Sequence, residues 1–273
     1  MKKIIIPIIT ALCAVGFPAQ AQFAKPGGAN PDSVLHKIFG TNLNFSANMR
    51  VEIKMPEQDN EMSMSGKIYF SHGDSRTELD MSNMKGTKMP PQTIEQMKAM
   101  GMDKMISISR PEAETVYMIY PGLESYAKLA APAPAEDTNT KIETTELGKE
   151  TVNGHPCVKK KYVVTGNEND LTMFAWLATD LKNYPVKIEI DATRDIAGKK
   201  LPTNTTLNFT DVNTAQPAAS LFEPPAGYRV YTDIQDMVQT EMVKKMKMNG
   251  GNGMPPNHPG MPAGHPTTPT EHP

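Results

Sequence analysis

Hydrophobic and polar positions alternate with a period of two over much of this chain. Phe45, Ala47, Met49, Val51 and Ile53 alternate with Asn44, Ser46, Asn48, Arg50 and Glu52. Residues two apart share one face of a strand, so this pattern predicts a strand buried on one side. Pro56 to Asn60 reads as a polar turn. The next strand sets Met62, Met64, Gly66, Ile68 and Phe70 on one face. Gly73-Asp74 turns the chain, and Thr77, Leu79 and Met81 continue the alternation. Further strands are predicted at Lys104–Arg110, Glu114–Tyr120, Ser125–Leu129, Ile142–Val152, Cys157–Thr165, Leu171–Thr179, Val186–Arg194 and Thr203–Val212. Asn153-Gly154 suits a two-residue hairpin turn, which needs positive φ at both positions.

Helical spacing occurs in three places. Pro31–Phe39 has Asn30 as a cap, Pro31 at the first position and Gly40 as a stop. Gln92–Met100 follows Pro90-Pro91, carries Ile94 and Met97 on one face, and ends at Gly101. A last helix starts at Asp233, where Thr232 and Gln235 have capping-box spacing. Its apolar stripe is Ile234, Met237, Val238, Met242 and Met246, and Lys244, Lys245 and Lys247 complement its C-terminal end. Some ten short strands with two or three helices predict a mainly β (α+β) fold. The expected architecture is one large curved antiparallel sheet, a half-barrel, with the helices covering its concave face.

The chain ends do not belong to that domain. Lys2 and Lys3, an apolar run from Ile4 to Phe17 and Ala19-Gln20-Ala21 form the pattern of a cleaved signal peptide over 1–21. Leu12 before Cys13 is not the small residue that a lipoprotein signal needs. Residues 22–41 form an N-terminal segment with the short helix, and 42–248 the curved-sheet domain. Ala130–Thr140 is read as a long loop inside that domain, because neither half has enough strands to close its own core. Residues 249–273 hold seven Pro, five Gly and three His, with no Leu, Ile, Val or aromatic residue. Such a tail buries too little apolar surface to offset its ordering entropy.

Composition narrows the function. Lys and Arg number 28 against 30 Asp and Glu, a net charge of −2 that becomes −4 when Lys2 and Lys3 are removed. That balance argues against a nucleic-acid partner. No apolar run reaches the roughly 18–20 residues that span a bilayer. Export implies an oxidising compartment, yet only Cys157 survives maturation, so it is read as a buried strand thiol. No G-x-S-x-G, H-E-x-x-H, C-x-x-C or P-loop occurs, so neither an enzyme nor a cofactor is expected. Lys159-Lys160-Lys161 is read as a solvated edge or a bulge rather than a phosphate site.

Methionine is the distinctive component. Eleven of the 20 lie between Met49 and Met105. Flexible thioether side chains suit irregular or changeable apolar partners. The candidate ligand-lining residues are Met49, Val51, Met62, Met64, Ile68, Phe70, Leu79, Met81, Ile94, Met97, Met118, Phe174, Trp176 and Met237. Thioethers also suit Cu(I). Met62-x-Met64, Met100-x-Met102, Met246-x-Met248 and the tail residues Met254, His258, Met261, His265 and His272 therefore carry an alternative, copper-binding reading.

Three ordered motifs carry a family resemblance. They are Val152-Asn153-Gly154-His155-Pro156-Cys157, Phe174-Ala175-Trp176-Leu177-Ala178-Thr179-Asp180-Leu181 with Tyr184-Pro185-Val186-Lys187, and Leu221-Phe222-Glu223-Pro224-Pro225-Ala226-Gly227-Tyr228. Tyr117 to Tyr126, with Tyr120-Pro121-Gly122 inside, adds a fourth. Over roughly Asn42 to Met237 the chain resembles the lipoprotein-carrier superfamily of LolA, LolB and LppX. Within it, the chain most resembles an exported bacterial branch known only as a domain of unknown function. The resemblance implies a periplasmic carrier for a lipid, acyl chain or lipoprotein-like ligand. A monomer is expected, with an envelope protein as a second partner. A protein-interaction or envelope stress-sensing module of the same fold is the other reading.

Overall fold

The structure is a computed structural model describing residues 43–86, 90–131, 141–165, 171–196 and 199–248. The expected signal peptide, the helix expected at 31–39, most of the 130–140 loop and the tail all lie outside these residues.

The described chain forms one twelve-stranded sheet and two helices. β1 (Phe45–Met55), β2 (Asn60–Ser71), β3 (Asp74–Gly86), β4 (Lys104–Arg110), β5 (Thr115–Tyr120) and β6 (Ser125–Ala130) follow one another as an antiparallel meander. The chain then starts again at the far edge. β7 (Lys141–Val152), β8 (His155–Thr165), β9 (Leu171–Ala178), β10 (Tyr184–Ile196) and β11 (Lys199–Asn213) work back until β11 pairs with β1. The helices are α1 (Pro91–Met100) and α2 (Ile234–Met248).

Most predicted strands and both described helices fall within one or two residues of their expected limits. A twelfth strand is an addition to the expected set. β12 (Arg229–Tyr231) pairs parallel with β6, so the sheet is not wholly antiparallel. The β2–β3 hairpin turns one residue earlier than predicted, at His72-Gly73, where φ is 48° and 88°. Asp233, not Thr232, caps α2, its carboxylate accepting the Asp236 N–H at 2.9 Å. Asn153-Gly154 does turn the β7–β8 hairpin, with φ of 51° and 84°.

Strand alternation divides the sheet into two faces. Inward residues include Phe45, Met49 and Val51 on β1, Met64 and Ile68 on β2, Met105 on β4, Met118 on β5, Met173 on β9 and Phe209 on β11, all in one apolar cluster. Curvature brings distant strands together over that face. Phe45 on β1 meets Tyr184 at the start of β10 with ring centroids 5.1 Å apart, although β11 lies between the two strands. Part of the outward face of β3 to β5 is covered by the chain itself. The segment after β11 crosses it, seating Phe222 on Ile108 and Ile119. Arg76 donates to the Leu221 carbonyl at 2.8 Å, and Arg110 pairs with Glu223. This strap delivers the chain to β12.

α1 ends where three elements converge. Gly101 has φ 73°, and its N–H donates to the Lys98 carbonyl at 2.9 Å. A Cβ there would stand 2.5 Å from both the Gly122 carbonyl oxygen and Lys245 Nζ. Gly101→Ala adds a left-handed backbone penalty to a backbone collision, and is expected to lower stability by about 2 kcal/mol. Urea midpoints would show it, and an unchanged midpoint contradicts this account of the junction.

Candidate functional site

The inward face is where most sequence-selected residues meet. Met49, Val51, Met64, Ile68, Phe70, Met81, Met97, Met118 and Met237 are buried in the one inward cluster. Leu79 and Ile94 pack against it, half-buried. Met62 shares the face by register, opposite Ile53, but stands outside the cluster.

Phe174 and Trp176 are corrections. They belong to a separate apolar group on the outward face, with Cys157, Ala178 and Val186. β9 is apolar on both sides, because Met173, Ala175 and Leu177 take the inward positions. A period of two cannot tell which side of such a strand is the core. Trp176 is instead held between two ammonium groups, Lys159 at 4.5 Å and Lys187 at 4.4 Å from its ring centroid. Its indole N–H donates to Glu150 at 2.6 Å. Lys159 therefore does not sit on a solvated edge: β8 is the second strand in, and the bulge lies across from it at Glu146/Gly148 on β7. Cys157 is buried, and burial pushes its thiol above the usual range, as expected of a structural cysteine.

The two helices cover only part of the inward face. α1 rests on β3, and α2 on β6 and β12. Met237 is fully buried, and Met97 and Val238 nearly so, which fixes both helices on that half. On the other half, Ile53, Leu171, Ile190 and Leu207 continue the apolar surface and are only half-buried. Leu171, Ile190 and Leu207 are absent from the sequence-selected set, although each alternates correctly within its strand. Their adjacency depends on β11 returning to pair with β1, which is a non-local event.

A hydroxyl patch interrupts the apolar surface. Ser75 on β3 lies opposite Ser109 on β4, and Thr77 opposite Ser107. All four stand on the inward face, between the apolar residues of β2 and those of β5. Ser75, Ser107 and Ser109 are buried there.

α2 is tied to β12 through one carboxylate. Glu241 is 2% exposed. It accepts from Arg229 Nε at 2.7 Å, from Arg229 Nη2, from the Tyr231 hydroxyl and from Lys244 Nζ at 2.9 Å. Burial works against its charge, but the Tyr231, Arg229 and Lys244 hydrogen bonds prevail and hold its pKa at about 2.

Of the paired methionines, Met62 and Met64 both occupy inward β2 positions, while Met100 and Met102 are half-buried at the end of α1. The tail's methionines and histidines lie outside the described residues. Among the described residues there is no group of three or more His, Cys, Asp or Glu placed to hold a metal ion. No described helix is long and apolar enough to cross a membrane.

A family model described as a domain of unknown function (DUF4412) matches residues 45–195, which span β1 to the end of β10. No curated protein matches the chain. Among solved structures, the chain is similar to an uncharacterized conserved protein from Thermus thermophilus, at 10% identity and a TM-score of 0.38, covering 78% of this chain and 98% of that one. It is also similar to a domain from Vibrio parahaemolyticus assigned to outer membrane lipoprotein sorting, at 12% identity and TM-score 0.28, covering 80% and 99%. The MucA/MucB complex of Pseudomonas aeruginosa gives 14% identity and TM-score 0.35, covering 74% and 64%.

Proposed function

This chain belongs to the DUF4412 family of domains of unknown function, and we propose that it is an exported, non-catalytic binding protein for a lipid or acyl chain. The ligand lies on the inward face of the curved sheet. One observation carries the reading: the apolar inward surface runs on past the footprint of both helices, through half-buried Ile53, Leu171, Ile190 and Leu207. These side chains keep part of their surface open beside a close-packed core, where a ligand chain can cover them. Each methylene of an acyl chain laid there contributes about 0.8 kcal/mol. The methionines nearby adapt to chains of different shape.

The signal-like N-terminus and the near-neutral charge balance fit a carrier working in the cell envelope. The test is direct. Mass spectra of solvent extracts from the purified chain should contain lipid, and a fluorescent fatty acid should be taken up. Leu207→Glu with Ile190→Glu should weaken uptake by about ten-fold or more, since each puts a charge on the apolar bed. Thr206→Glu, on the opposite face of the same strand, should leave it unchanged. Extracts without lipid, together with no uptake, would sink the proposal.

A further inference from the structure

A second recess lies on the other side of the sheet. Two rows of side chains cross the outward face of β11, β1, β2, β3 and β4. One row runs Thr210, Asn48, Lys67, Glu78 and Ile106; the other runs Asn208, Arg50, Ser65, Asp80 and Lys104. Every neighbour within a row is a directly opposed pair of the sheet register. The residues between the rows, such as Met49, Gly66 and Leu79, point inward and leave only backbone as a floor. The result is a trough of about 600 Å3 running across the strands, with Asn153 at one end and Pro121 at the other. Asn153 is fixed there, its amide donating to the Phe209 carbonyl at 3.2 Å. At about 4.8 Å per strand, five strands give a length of about 19 Å.

The polar groups of this trough divide into used and unused. Arg50 is engaged by Glu52 at 2.8 Å, and Glu78 by Arg76 at 2.7 Å. Lys67 and Lys104 are exposed, and no described carboxylate lies within ion-pairing distance of either. Lys104 acts on Asp80 only at longer range. Ser65, Thr210 and the Asn208 amide make no side-chain hydrogen bond among the described residues. Asp80 accepts the Ser82 N–H at 2.9 Å, and the Ser82 hydroxyl also acts on that carboxylate.

We propose that the trough binds a linear acidic glycan, a sugar chain bearing uronate carboxylates. Lys67 and Lys104 supply the charge for the carboxylates. The hydroxyl and amide groups between them match ring hydroxyls that both donate and accept. Glu78 and Asp80 lie between the lysines on β3, so the two ammonium groups stand two strands apart rather than side by side. Among the described residues no aromatic side chain lines the trough, so it offers no stacking platform for nucleobases. The trough crosses the strands instead of following an edge, so it cannot extend the sheet with a peptide strand.

The probe is hexagalacturonate, titrated into the full chain by calorimetry, with maltohexaose as the neutral control. Hexagalacturonate should bind, maltohexaose should not, and added salt should weaken binding. Lys67→Gln with Lys104→Gln should weaken it about ten-fold. Both side chains are exposed, so the double variant should melt like the parent. Fatty-acid uptake should also be unchanged, since the trough and the apolar bed are on opposite faces. No binding of hexagalacturonate, equal binding by the double variant, or loss of binding in the inward variant Leu207→Glu each overturns the proposal.

Discussion

Met237→Asp should detach α2 from the sheet. Met237 is fully buried in the inward cluster, in the first turn of α2. The cluster around it is apolar, and an unpaired buried charge costs several kcal/mol. We expect a loss of about 4 kcal/mol or more, a large part of the roughly 5–15 kcal/mol that holds a domain together. At about 2–4 °C per kcal/mol, the melting temperature should fall by about 10 °C. Dye binding to exposed apolar surface should rise with it. Met237→Leu keeps volume and polarity, and should cost less than about 1.5 kcal/mol. A Met237→Asp protein melting within about 2 °C of the parent would show that α2 does not depend on this contact.

The second large effect concerns acid. Glu241 has a folded pKa of about 2, well below an ordinary glutamate. A depressed carboxylate pKa gives stability that is complete above the unfolded value, about 4.3, and is lost as pH falls towards the folded value. The parent should therefore lose about 2 kcal/mol from this group between about pH 5 and pH 2. The groups facing Glu241 are Arg229 and Tyr231 on β12 and Lys244 one helical turn along α2. Arg229 and Lys244, whose pKa values their hydrogen bonds to Glu241 raise, keep their charge in that window. Glu241→Gln keeps the shape but loses the charge-assisted bonds, and should be about 2 kcal/mol less stable at pH 7. Its melting temperature should also fall less steeply with acid than the parent's. Parallel pH curves for the two proteins would contradict the assignment.

The parts of the fold that can be read from the sequence are those set by local pattern. β1 and β2 are legible because one side is consistently polar: Asn48, Arg50 and Glu52 face out while Met49 and Val51 face in. α1 is legible from Pro90-Pro91 at its start and Gly101 at its end. β12 is not, because three residues after a Pro-Pro segment acquire strand geometry only by pairing with β6, some hundred positions earlier. Phe174 and Trp176 fall on the face opposite the expected one because β9 is apolar on both sides. Thr232 and Asp233 are neighbouring residues that can both cap, and only the backbone geometry chooses between them.

The candidate site shows the same division. The inward methionines are readable one strand at a time. The half-buried surface at Leu171, Ile190 and Leu207 is not, since it exists only where β9, β10 and β11 return beside β1. The outward trough is further still from the sequence. It requires five strands in register, so Lys67 and Lys104 look like ordinary solvated lysines until the rows are assembled.

The central claim, that the inward face receives an apolar ligand, is tested most directly by where a bound chain touches the protein. A photoactivatable fatty acid bearing a diazirine on its alkyl chain, irradiated with the full chain and mapped by peptide mass spectrometry, should label β9 to β11 at Leu171, Ile190 or Leu207. Excess unlabelled fatty acid should compete the labelling away. Labelling confined to outward residues such as Phe174, or labelling that does not compete, would contradict it.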